Sequence, residues 1–302
     1  MTYPVVPPST QRRPSPWQGC RRNWPVVAAL ALLLPAFLCG LTLVIYLLFP
    51  PPPLNVLVLG VDGRGREGYQ SRADSIMLVG VSPARLKVSL LSIPRDLFMD
   101  VPGYGSQRVN TVNFLGEQAM PGGGPRLMAE TLEHNFGVRS DRYVRLSFQT
   151  FVAVVDAVGG IAIDVERNLT DTAFPTEDGG VMTVQFESGR QFMDGERALI
   201  YARMRNPDDD YRRAGRQQQV MSAVLAQLAN PVSWPRVLQA LGEGVDTDLN
   251  LVDAVRLLPP VVLNLGRFEQ LVIDRDYILG TAAGHAVPNY ERIRPWLEGR
   301  FD

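Results

Sequence analysis

The chain has 302 residues and a formal net charge of −1, room for one large domain or two small ones. Its two cysteines, Cys20 and Cys39, and its two histidines, His134 and His285, form no metal or triad pattern. No Gly-x-Ser-x-Gly elbow, His-Glu-x-x-His motif or Gly-Lys-Ser/Thr loop occurs, so a zinc enzyme, a nucleophilic hydrolase and a phosphate-loop nucleotide site are all disfavoured.

Residues 1–25 are rich in Pro, Ser and Arg and read as a short disordered tail. Residues 26–49 form an apolar run without a charge. At about 1.5 Å per residue a helix of that length reaches roughly 36 Å, enough to cross a ~30 Å hydrocarbon core. Pro35 and Gly40 interrupt it, and membrane helices tolerate both. Arg12, Arg13, Arg21 and Arg22 precede the run, which predicts a cytoplasmic N-terminus and an extracytoplasmic remainder. A cleaved signal would have an apolar core of roughly 7–15 residues ending at small residues. This run is longer and ends in Phe49-Pro50-Pro51-Pro52-Pro53, so the expectation is an uncleaved single-pass anchor in the cell membrane. On that topology the outer part holds no cysteine and rests on its hydrophobic core. Pro50–Pro53 read as a stiff spacer, and residues 54–302 as one extracytoplasmic domain.

Within that domain Leu54 to Gly60, Ser75 to Val81 and Lys87 to Ile93 read as strands. The turn Ser82-Pro83-Ala84-Arg85 makes the last two a hairpin. Arg108 to Glu117 reads as a helix or helical turn, and Met120 to Gly124 as a loop. Pro125 opens a helix that Gly137 ends. Arg142 to Phe148 is a strand, Thr150 to Val158 a helix, and Ile161 to Val165 and Val181 to Phe186 are strands. Asp194 caps a helix to about Arg203, and Asp210 begins a longer one to about Leu228. Leu251 to Leu258 and Tyr290 to Leu297 read as helices flanking a strand at Gln270 to Ile273. The alternation predicts an α/β domain with a central β-sheet between helices.

Two features carry chemistry. If the first two strands are neighbours, Asp62 and Asp74 share one edge of the sheet. The hairpin returns the chain, so Arg95 and Asp96 reach the same rim. Two carboxylates suit Mg²⁺, which is usually held by one or two carboxylates plus phosphate oxygens and water. Arg72 and Arg95 are suited to grip the same phosphates in forked fashion. An Asp after a strand is also a common turn former. The second feature is the stretch Arg203 to Gln219, where Arg203, Arg205, Arg212, Arg213 and Arg216 crowd together. Such a cluster fits a polyanion, and equally a solvated charged helix. The chain has only one lysine, Lys87.

These residues fall into an ordered set of motifs. They are Asn55-Val-Leu-Val-Leu-Gly-Val-Asp62, Ser71-Arg-Ala-Asp-Ser-Ile-Met-Leu78, Ser92-Ile-Pro-Arg-Asp96, Arg108-Val-Asn110 and Val155-Asp-Ala-Val-Gly-Gly160. Met193 to Arg205 and Asp210 to Gln218 complete it. In this order, over about residues 54–230, the chain resembles the LytR–CpsA–Psr family of cell-wall ligases. The resemblance implies a central mixed sheet between helices and an apolar groove for a lipid. It implies a phosphotransferase that takes a glycopolymer from a polyprenyl-pyrophosphate carrier and attaches it to peptidoglycan through a phosphodiester, with Mg²⁺. Carried over by motif, Asp62 and Asp74 resemble metal-binding aspartates. Arg72, Arg95, Arg203, Arg205 and Arg213 resemble pyrophosphate-binding arginines, and Asp210 and Gln217 polar site residues. Arg95, Asp74 and Asp210 are the expected catalytic groups. Here the Arg205 to Asp210 segment is shorter than the common pattern, and Arg212 replaces a usual Gly, which leaves open whether Arg212 or Arg213 faces the ligand. Candidate groove residues lie on the apolar faces of Thr150–Val158 and Val220–Leu228. Water as acceptor would make the same site a polyprenyl-pyrophosphate hydrolase. A non-catalytic wall-binding or regulatory protein is the third reading. A nucleic-acid partner is not expected, because about 25 cytoplasmic residues are too few for a DNA-binding domain.

Overall fold

The computed structural model describes residues 24–62, 69–176, 179–204, 210–242, 244–264 and 267–301. The chain divides into two units, Met1–Pro50 and Pro51–Asp302. The tail expected before the apolar run lies, up to residue 23, outside the described residues. The first unit contains helix α1 (Trp24–Leu48), 25 residues long and without Asp, Glu, Lys or Arg. Several of its side chains also lie outside the described set, and among the described residues no helix is long and apolar enough to cross a membrane.

The second unit runs β1 (Leu54–Val61), β2 (Ala73–Ser82), β3 (Lys87–Ser92), β4 (Phe98–Val101), β5 (Gly105–Arg108), α2 (Val112–Ala119) and α3 (Gly123–Phe136). It continues β6 (Arg142–Ser147), α4 (Phe148–Ala157), β7 (Ile161–Val165), β8 (Leu169–Pro175), β9 (Val181–Phe186), β10 (Gly189–Met193), α5 (Gly195–Arg203) and α6 (Asp210–Gln227). Then come α7 (Trp234–Gly242), β11 (Val245–Thr247), α8 (Leu251–Leu263), β12 (Glu269–Val272), β13 (Ile278–Ala282), β14 (His285–Pro288) and α9 (Tyr290–Leu297).

The central sheet has the order β11-β6-β1-β2-β3-β12. It is mixed: β1 is antiparallel to β2 and parallel to β6, and β3 is antiparallel to β2 and parallel to β12. Successive side chains on a strand face opposite ways, and on β2 both faces are buried. Ile76 and Leu78 join a cluster with Met128, Leu132 and Phe136 of α3 and Ile293 and Leu297 of α9. Met77, Val79 and Val81 join a second with Val261 of α8 and, less buried, Met221 and Leu225 of α6. The sheet is thus covered on both faces, and its strands read as unbroken apolar runs. A third cluster joins α4, α5, α6, α7 and strands β7 to β10. Of the faces proposed for a lipid groove, Val155 on α4 and Val220 and Val224 on α6 are buried in this third cluster and act as core, while Phe151, Ala153 and Val154 are only partly buried against it.

Two local differences have physical causes. Helix α8 runs through Pro259 and Pro260 to Leu263 instead of stopping at Leu258. A capping box between Asn250 and Asp253 starts it, and burial of Pro260 and Val261 holds its second half. Helix α3 starts at Gly123, two residues before Pro125, because the Glu117 carboxylate accepts from Gly122 N–H at 2.9 Å and Gly124 N–H at 3.0 Å. The hairpins β4–β5 and β13–β14, strands β8, β10 and β11, and helix α7 were not expected. At Gly80 a Cβ would lie 2.7 Å from Arg300 O, so the C-terminal segment crosses β2 where only glycine fits.

Candidate active site

The C-terminal end of β1, the start of β2 and the segment after β3 meet at one edge of the sheet. Gly60 pairs with Ser75 but Val61 pairs with Ala73, which leaves Asp74 as the extra residue of a bulge. Bulges re-aim side chains out of the pleat, and this one frees Asp74 from the ladder. On the next strand Ile93 N–H donates to Ile76 O at 3.0 Å, and the chain then turns through Pro94 into Arg95. Arg95 O accepts from Asn110 N–H at 3.1 Å, which clips the helical turn Val109–Thr111 onto the same rim.

The side chains form a chain of alternating charge. Arg95 Nη1 donates to Asp74 Oδ1 at 2.6 Å, and Arg95 Nε to Asp96 Oδ2 at 3.3 Å. Arg108 Nη1 lies 3.9 Å from Asp96 Oδ1. Asp62, Ser71, Arg72, Asp74, Arg95, Asp96, Arg108 and Asn110 line a cavity of about 340 Å³. Asp62 and Arg72 are exposed, while the Arg95 side chain is only 16% accessible. Two wall atoms, Asn110 Oδ1 and Ser71 Oγ, are buried without a hydrogen-bond partner. A buried unmet polar atom is unfavourable by about 1–3 kcal/mol. The donor set for a cation is all oxygen, which fits Mg²⁺ better than a soft metal. Among the described residues no group of three or more His, Cys, Asp and Glu is gathered for a metal. Two carboxylates are enough for Mg²⁺ when phosphate and water complete its shell.

A buried network holds the loop before β2. Asn113 Nδ2 donates to Tyr69 O at 3.0 Å and to Ser71 O at 2.8 Å. Its Oδ1 accepts from Arg145 Nη1 at 3.1 Å. Arg145, 2% exposed, pairs with Glu117 and Asp246, each at 2.6 Å, and lies 4.2 Å from the centre of the Tyr69 ring. Burial alone would raise the Glu117 carboxyl, but hydrogen bonds from Arg145, Gly122 and Gly124 outweigh it and hold the pKa below the ordinary value. Burial and then the Asp246 charge push the Tyr143 hydroxyl up to about 12.

Of the residues singled out from sequence, Asp62, Arg72, Asp74 and Arg95 come together in the cavity wall. Arg203, Arg213 and Gln217 do not line it. Arg203 lies over the rings of Phe148 and Phe174, at 4.4 and 5.6 Å, and Phe148 directly follows Ser147, the partner of Val61. Gln217 Nε2 donates to Ala202 O at 3.4 Å. Arg213 is buried and Arg212 exposed. Arg216 is buried as well; its Nε donates to Tyr201 O at 3.1 Å and its Nη2 to Met204 O. It ties α6 to the carbonyl end of α5, a favourable place for a cation. Arg205 and the Asp210 side chain lie outside the described residues. Sequence reasoning brought Asp96 to this rim with no role assigned, and gave no role to Ser71, Arg108 or Asn110. The signal lay in the Arg108-Val-Asn110 motif, whose turn is brought in by backbone hydrogen bonds.

The LytR_cpsA_psr family model matches residues 51–262. The chain belongs to this family. A polyisoprenyl-teichoic acid–peptidoglycan teichoic acid transferase TagU of Oceanobacillus iheyensis is 35% identical over 204 residues, 66% of this chain and 59% of that relative. The regulatory protein MsrR of Staphylococcus aureus is 32% identical over 202 residues, 65% of this chain and 56% of that relative. The chain thus spans less than two thirds of the length of these relatives. The crystal structure of B. subtilis TagV superposes with a TM-score of 0.67 at 25% identity, over 83% of this chain and 98% of that one. The segments Asn55–Asp62, Ser71–Leu78, Ser92–Asp96 and Arg108–Asn110, all within the matched span, supply the residues that line the cavity.

Proposed function

We propose that this chain is a phosphotransferase that moves a glycopolymer from a polyprenyl-pyrophosphate carrier onto peptidoglycan through a phosphodiester. The observation that carries the reading is the cavity where Arg72, Arg95 and Arg108 face Asp62, Asp74 and Asp96, in a member of a family with a relative named as a teichoic acid transferase. Phosphoryl transfer asks a protein mainly for positioning and charge neutralisation. Arg95 is already held by Asp74 and Asp96, so its donors need little rearrangement to meet a phosphate. Arg72 and Arg108 add forked donors on the same wall. A peptidoglycan hydroxyl attacks the sugar-proximal phosphorus. The new P–O bond forms as the bond to the bridging oxygen breaks, polyprenyl phosphate leaves, and the hydroxyl proton passes to a rim carboxylate.

Mg²⁺ is proposed to bind Asp62 and Asp74, with Asn110 beside them, and to supply charge neutralisation on the pyrophosphate. The family resemblance alone carries the assignment of Arg203, Arg205, Arg213, Asp210 and Gln217 to the same substrate. The charge-free apolar run of residues 26–49 supports a single-pass anchor with the domain outside the membrane.

The test uses the full chain in vesicles with a polyprenyl-pyrophosphate oligosaccharide, peptidoglycan fragments, and Mg²⁺ or a chelator. A phosphodiester-linked conjugate is expected with Mg²⁺, and Arg95→Ala should lower its rate about 10²–10³-fold with an unchanged circular dichroism spectrum. Unaltered turnover in Arg95→Ala would end the assignment. Free phosphate without conjugate would make the chain a hydrolase. Carrier binding with no turnover would favour the regulatory role for which MsrR is named.

A further inference from the structure

Helix α8 is apolar on two sides. One side, with Val261 and Leu257, packs on the sheet, and Asp253 is buried against Arg142 Nε at 2.7 Å. At about 100° per residue, Leu251, Val252, Val255, Leu258, Val262 and Leu263 fall within an arc of roughly 140° that contains no polar residue. Leu251 is 86% exposed, Val252 69%, Val255 57% and Leu263 45%. Scattered surface hydrophobics are ordinary, but a contiguous stripe marks an interaction surface.

The position of the stripe argues for what covers it. Arg256, at the edge of the arc, donates from Nε and Nη2 to Pro52 O at 3.3 and 3.1 Å and from Nη2 to Pro53 O. The chain therefore enters the domain one turn from Val252. Only Phe49, Pro50 and Pro51 separate Pro52 from Leu48, the last residue of α1. At about 3.1 Å per residue in extended polyproline form, those four steps span roughly 12 Å. If α1 crosses the bilayer, Pro52 cannot be farther than this from the end of the span.

We propose that the exposed face of α8 seats in the outer-leaflet interface, with Leu251, Val252 and Val255 inserted and Arg256 at the headgroup level. The proposal rests on the anchor reading given above. Amphipathic helices that lie in this way bury their apolar face about 5–10 Å into the headgroup and acyl boundary. The short proline stem supplies the effective concentration, so the stripe need not bind membranes unaided.

The test places a polarity-sensitive fluorophore on Leu251→Cys in a Cys20→Ser, Cys39→Ser background. The full chain is reconstituted in phosphatidylcholine–phosphatidylglycerol vesicles, with and without nitroxide lipids. Thr281→Cys on β13 is the reference, since β13 packs with the cluster on the opposite face of the sheet. The expected result is blue-shifted emission at 251, quenched by nitroxide lipid several-fold more than at 281, and loss of both effects in Val252→Glu/Val255→Glu. Water-like emission at 251 equal to that at 281, in a chain that resists carbonate extraction, would overturn docking and leave the anchor standing. Release of the chain by carbonate would remove the anchor and the docking together. A blue shift that follows protein density and ignores nitroxide lipid would assign the face to a second copy of the chain, also against the proposal.

Discussion

Asn110 is the plainest polar misfit in the candidate site. Its Oδ1 is buried and unanswered, although its backbone N–H is satisfied by Arg95 O. A buried atom without a partner is unfavourable by about 1–3 kcal/mol. Asn110→Ala removes that unmet acceptor, so it is not expected to lower the melting temperature of the chain, and on the proposed reading it should weaken Mg²⁺-dependent binding of pyrophosphate at least tenfold, the scale of an outer-shell metal partner. Isothermal calorimetry with inorganic pyrophosphate checks it, and equal affinities would remove Asn110 from the site. At this scale the sequence was a partial guide. It marked Asp62, Asp74, Arg72 and Arg95, because strand ends and motif order place them together. It could not sort the arginines around residue 213. Charge density carries no direction, and neighbours on a helix point about 100° apart, so Arg212 is exposed while Arg213 is buried.

Between residue and fold stand the devices that aim the site. The bulge at Asp74 takes one residue out of register, and apolar runs on both sides conceal it from the sequence. The buried Glu117 that caps α3 is equally hidden, because a cap supplied from another element has no local signature. Strands β1, β2 and β3 were legible because both faces are buried and the runs are unbroken. The hairpins β4–β5 and β13–β14 were not, since segments such as Gly105–Arg108 and Ile278–Ala282 are half exposed and lack apolar alternation. The device most sensitive to a small change is the approach of α3 to Asn113. A Cβ on Gly124 would lie 2.4 Å from Asn113 Oδ1. Gly124→Ala should destabilise the domain by about 1–3 kcal/mol, as overpacking does, and lower transfer by loosening Asn113 from Ser71 O. Urea unfolding measures the first effect and initial rates the second; a variant as stable as the parent would show that the helices part without strain.

For the whole molecule, buried carboxylates set the acid limit. Glu117 and Asp253 are held low by their hydrogen bonds and cations against the effect of burial, and Glu269 is held low chiefly by Lys87. A carboxyl whose folded pKa lies below its unfolded value adds stability above the unfolded value and loses it as pH falls through the folded one. The melting temperature should therefore decline below about pH 4.5, the ordinary value for glutamate. Glu117→Gln should lower stability at pH 7 by about 3–5 kcal/mol, as removing one partner of a buried pair does, and flatten the acid slope; an unchanged slope would clear Glu117 of the role. Strand β1 sets a length scale of a different kind. Its eight residues span roughly 23 Å at about 3.3 Å per step, with the proline stem at one end and Asp62 at the other. On the anchored reading proposed above, that strand would gauge how far the chemistry stands from the lipid. Upright, it would draw a carrier most of the way out of its leaflet; laid flat along the membrane, it would ask the isoprenoid to move hardly at all. On the proposed reading, the tilt of that one strand would set how much lipid leaves the bilayer in each turnover.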